Sequence, residues 1–161
     1  MTDRPAPTAQ VLDPIHSRVR LAGHPLHPML VHFPVAMLLA VLGADLGHWL
    51  TGDGFWQRAA LWLAGVGAAG GWVAGAVGTA DWMLTRRIRN LVTAACHGVA
   101  AVMMLSIATL SWYWRWLAGP AEEPLWLAVL LSVLAAALVG LASMLGGRLV
   151  YEQAVGVVTS R

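Results

Sequence analysis

Four apolar runs, at 29–50, 59–84, 91–117 and 125–147, alternate with short polar breaks along the chain. Each is close to or above the ~20 residues that a helix needs to cross a bilayer. Within a bilayer the backbone must satisfy its own hydrogen bonds, which leaves helices as the natural reading of such runs. The pattern predicts an all-α fold, a bundle of four transmembrane helices. It divides the chain into a lead-in over 1–28, a membrane domain over 29–150 and a tail over 151–161.

Composition agrees with this reading. The 161 residues are 58% hydrophobic and 11% charged, and the mean hydropathy is +0.67. Pro5, Pro7, Asp13 and Pro14 interrupt the first 28 residues, and no short apolar segment precedes the first run. That stretch does not pattern as a signal peptide and is expected to be a loose cytoplasmic lead-in. The lone Cys96 excludes an intrachain disulfide, and no C-x-x-C-H motif offers covalent haem attachment. A small packing residue is the expectation for Cys96.

Charge sets the orientation. All ten basic residues are arginines, and eight of them (Arg4, Arg18, Arg20, Arg86, Arg87, Arg89, Arg148 and Arg161) fall on one side of a four-span arrangement. Arg58 and Arg115 fall on the other. The positive-inside rule then puts both termini and the 86–89 turn in the cytoplasm. The pI near 9.3 follows from topology, so no nucleic-acid partner is implied. The expected location is the bacterial inner membrane, crossed several times. Trp49, Trp56, Trp112, Trp114, Trp116 and Trp126 flank the two outer loops, as interfacial belts do.

Small residues recur every three or four positions on two runs. Gly67, Gly71, Gly75 and Gly78 share one face of the second, and Ala136, Gly140, Ser143 and Gly147 share one face of the fourth. Such faces let helices approach closely in lipid. The glycine face could also leave room for a flat cofactor.

Candidate chemistry concentrates where the first run begins. His24, His27 and His32 lie among Pro25, Pro28 and Pro34. His32 is expected roughly 5 Å into its helix and His97 roughly 9 Å into the third, both from the cytoplasmic end. Asp81 and Arg148 close the second and fourth runs at the same level. Ionisable groups at membrane depth mark function by default. Two facing imidazoles can supply both axial ligands of one b-type haem. His32 and His97 are the expected pair, with His27 a substitute for either. Asp81 would orient an imidazole through its N–H. Arg86, Arg87 or Arg148 would pair with propionates.

The same layer offers His24, His27, His32 and His97 to zinc or copper, and a cofactor-free accessory subunit is a third reading. At the outer end Asp45 and His48 are i,i+3 neighbours and are expected to form a local polar pair, with a proton relay as an option. The implied partners are a redox protein or quinone, membrane lipid and other membrane subunits.

The segment Gly23-His24-Pro25-Leu26-His27-Pro28, followed by Val31-His32-Phe33-Pro34, resembles the opening signature of a bacterial membrane family, domain of unknown function 2231. Asp45, Gly78, Asp81-Trp82, His97 and Gly146-Gly147-Arg148-Leu149-Val150-Tyr151 extend the resemblance over roughly 23–157. It implies a four-helix membrane protein with affinity to di-haem cytochrome b-like bundles. Some relatives are joined to Rieske-type iron–sulfur domains, which points to electron transfer. The family ending often reads Tyr-x-His-Gly-Val-Gly-Val, whereas Gln153 stands here in the histidine position. One haem at most is therefore expected.

Overall fold

The structure, a computed structural model, describes residues 13–119 and 124–157. After a two-stranded hairpin, β1 (Arg20–Leu21) and β2 (His24–Pro25), come α1 (Leu26–Thr51), α2 (Gly54–Leu84), the single turn α3 (Arg86–Arg89), α4 (Val92–Ala118) and α5 (Trp126–Tyr151). The four long helices are each long and apolar enough to cross a membrane. They coincide with the four expected runs, with ends displaced by five residues or fewer.

Local chemistry explains the boundaries. Pro28 lies in the first turn of α1, where a missing N–H costs nothing. Gly52 takes a left-handed φ of 68° and donates its N–H to His48 O at 2.8 Å, which stops α1. Asp53 then caps α2 by accepting from the Phe55 N–H at 2.8 Å. Two residues thus reverse the chain.

α1 packs on α2 and α4 on α5, while α2 meets α4 and α1 meets α5. α1 and α4 therefore face each other across the diagonal of the bundle. The central core is Leu38, Ala68, Met104, Leu105, Ala108, Ala135 and Val139. Gly67 lies against Met37 and Leu38, Gly71 against Leu105 and Pro34, and Gly75 against Leu105. These three glycines serve close contact. Of the small stripe expected on α5, Gly140 and Ser143 face outward, Gly140 in open space, while Ala136 and Gly147 are half-buried. Ala128, Ser132, Ala135, Val139 and Ala142 are among the buried positions. Both faces of this helix are small and apolar, so nothing in its pattern selects the inward one. Cys96 is likewise exposed rather than packed.

The end of the bundle where the described chain both begins and finishes, the terminal face, is closed by the chain itself. Ala22 (φ 49°) and Gly23 (φ 84°) make the two-residue turn between β1 and β2, whose twist needs positive φ at both positions. Ile15 bridges to Val155, with its N–H donating to Ala154 O at 3.0 Å and its carbonyl accepting from Gly156 N at 2.8 Å. Residues 13–25 are thus docked on the bundle and are not a loose lead-in. Residues 1–12 lie outside the described part.

Candidate functional site

His27 in the first turn of α1 and His97 near the start of α4 meet across the diagonal at the terminal face. Their ring centroids are 6.1 Å apart and their planes cross at 81°. His27 Nδ1 bonds Ala74 O of α2 at 2.8 Å, and His97 Nδ1 bonds Ala142 O of α5 at 2.9 Å. A carbonyl only accepts, so each Nδ1 carries the hydrogen and each Nε2 keeps a free lone pair. Both imidazoles are thereby fixed in the tautomer a metal ligand requires. Small residues make the seats. A Cβ on Gly78 would come within 2.8 Å of His27 Nδ1, and one on Gly146 within 3.4 Å of His97. Gly78 thus departs from the close-packing role of the glycines before it.

Three sequence expectations are corrected here. His32 is exposed on the outer side of α1, so it does not pair with His97. Five residues separate it from His27, which turns it about 140° around the helix. His24 is exposed on the hairpin, with its Nδ1 on Ala22 O at 3.0 Å. The four histidines expected as a metal cluster are therefore not gathered. Asp81 is buried but orients no imidazole. Its Oδ1 accepts from Arg18 N at 2.7 Å, Val19 N at 3.3 Å and Thr85 Oγ1 at 3.3 Å, pinning the N-terminal segment to α2. Arg148 lies in an exposed i,i+4 ion pair with Glu152, 2.9 Å from Nε to Oε2.

At the opposite face, where α1 ends and α2 begins, the polar pair is not Asp45 with His48. Arg115 of α4 donates from both terminal nitrogens to the Asp45 carboxylate, each at 2.8 Å, with the two side chains only 5% and 8% exposed. Arg115 also donates to Ser132 Oγ at 3.0 Å, and Ser132 lies 3.0 Å from Ser111. Buried His48 donates from Nδ1 to Asp53 O and accepts from Gln57 Nε2 at 2.9 Å. Asp45, His48, Gln57 and Arg115 line a cavity of about 340 Å³. In the sequence Arg115 counts only as one of two arginines on the outer side. The spacing of acidic and basic positions on α1 and α4 is the signal that could have found it.

A family model described as a predicted membrane protein, DUF2231, matches residues 23–159. The chain belongs to this family. No curated protein and no solved structure matches it. In this DUF2231 protein the opening motif divides its labour. Gly23 makes the turn, Pro25 packs under Gly156, and His27 enters the site, whereas His24 and His32 face outward. Gln153 donates to Thr93 Oγ1 at 3.0 Å, one turn before His97, and its buried Oε1 has no hydrogen-bond partner among the described residues.

Proposed function

We propose that this protein is an electron-transfer subunit of the bacterial inner membrane that holds one b-type haem between His27 and His97. The carrying observation is the pair of carbonyl-anchored imidazoles facing one another from the first and third membrane spans. The two rings lie close together, 6.1 Å between centroids, and the free Nε2 atoms of His27 and His97 would hold the iron. Two protein ligands suffice for haem, because the macrocycle supplies the rest. A structural zinc needs three or four. Among the described residues, no group of three or more His, Cys, Asp or Glu is placed to hold a metal ion. The donor set therefore favours haem over the zinc reading.

When bound, the iron would take up and release single electrons. The chain's own part is to hold both rings, through Ala74 O and Ala142 O, so that reorganisation on electron transfer stays small. Arg18, Arg20, Arg86, Arg87, Arg89 and Arg148 support a cytoplasmic terminal face. Arg115, neutralised by Asp45, adds nothing to the opposite side. A redox protein or quinone would exchange electrons at the terminal face, where the histidines lie.

The test is a reduced-minus-oxidised spectrum of the full chain, purified after expression with adequate haem supply. A b-type spectrum is expected, lost in His27→Ala and in His97→Ala but kept in His32→Ala. A wild-type protein without haem, or full haem retention in either of the first two variants, overturns the reading.

A further inference from the structure

We propose that the terminal face also carries a binding cleft for a phosphate-bearing ligand, formed by Arg18, Arg20, Arg86 and Arg87. This proposal is independent of the haem reading. The cleft, of about 470 Å³, lies between the docked N-terminal segment and the turn from α2 into α3. Its other walls are Pro14, Ile15, His16, Ser17 and Thr85.

The arginines come from two distant segments and converge because the fold fastens those segments together. Asp81 holds the backbone of Arg18 and Val19 against the end of α2, and Thr85 bonds the same carboxylate. A topological signal alone needs arginines on one side of the membrane and does not need them in one cleft. Two of the four are engaged. Arg87 pairs with Asp13 at 3.0 Å, and Arg20 donates from Nε to Ser17 O. The side chains of Arg18 and Arg86 have no hydrogen bond or ion pair with any described residue. Among the described residues, the one carboxylate paired with these guanidinium groups is exposed Asp13, which leaves a surplus of positive charge.

Guanidinium forks match the paired oxygens of phosphate, and basic pockets beside membrane spans bind phospholipid head groups. Met83 and Leu84, 60% and 57% exposed, directly precede Thr85 and Arg86 in the chain and offer an apolar surface for acyl chains. A phospholipid head group and a soluble phosphate compound share this chemistry.

The test uses the full chain in neutral detergent. Binding is measured by native mass spectrometry and thermal shift with two probes, phosphatidylglycerol and inorganic pyrophosphate. Arg18→Gln/Arg86→Gln removes the two unpaired groups. Arg89→Gln/Arg148→Gln removes equal charge from the same face outside the cleft, and circular dichroism checks that both variants fold. Affinity in the first variant is expected to fall about 25-fold, at about fivefold per arginine, and to fall much less in the second. Phosphatidylglycerol binding without pyrophosphate binding identifies a lipid, and binding of pyrophosphate identifies a soluble ligand. Equal losses in the two variants, or no binding of either probe, overturn the proposal.

Discussion

Asp45 lies eighteen residues beyond His27 on α1, about five helical turns and ~27 Å along the axis, so both side chains project from one face. The same interval separates His97 from Arg115 on α4. Because α1 and α4 run parallel across the diagonal of the bundle, the two faces meet twice. Imidazole meets imidazole at the terminal face, and carboxylate meets guanidinium at the opposite face. The intervening turns are closed by Leu38, Leu105 and their neighbours.

The ion pair leads to the first prediction. Two charges out of water depend on each other, so removing one leaves the other buried and unpaired. Asp45→Leu or Arg115→Leu alone is expected to destabilise the folded chain by about 3–5 kcal/mol. The double variant should recover much of that loss, since it leaves no isolated charge. Unfolding in mixed micelles checks this, and an additive double variant would mean that the pair is not coupled.

The spans are legible in the sequence because a bilayer demands length and apolarity, and both are written directly in the residue order. His97 is legible as an ionisable group at depth. What the sequence withholds is which side of a helix faces inward. In lipid the outward face is as apolar as the core, so His27 and His32 look equally eligible, as do the two small faces of α5. Asp45 looks paired with His48 because local spacing is visible and a partner 70 residues away is not. Matched five-turn intervals on α1 and α4 are the pattern that singles out Arg115. Asp81 misleads for a different reason. Its partners are mainly backbone N–H groups, which no residue type announces.

The seats of the two imidazoles differ in tightness, which predicts unequal tolerance. Gly78→Ala places a methyl group 2.8 Å from His27 Nδ1, against a ring already anchored to Ala74 O. Overpacking of this kind costs about 1–3 kcal/mol. It should also displace the ring from that carbonyl. Gly146→Ala brings its methyl group only to 3.4 Å from His97 and is expected to be nearly neutral. Thermal unfolding of the two variants distinguishes them, and equal losses would show that the closer contact relaxes freely.

Asp81 provides the last prediction, because one buried carboxylate fastens the Arg18–Val19 part of the N-terminal segment. Its Oδ1 accepts from two consecutive backbone N–H groups, of Arg18 and Val19, and from the Thr85 hydroxyl. Asp81→Ala removes all three bonds and leaves donors beneath the segment, at a cost of about 1–3 kcal/mol per unsatisfied group. The four helices do not depend on these bonds and should persist. Local opening should instead expose the peptide bonds after Arg18 and Arg20 to trypsin. Faster cleavage at those two sites, with unchanged helical circular dichroism, is the expected result. Cleavage at the wild-type rate would show that the Ile15 bridge to Val155 holds the segment without Asp81.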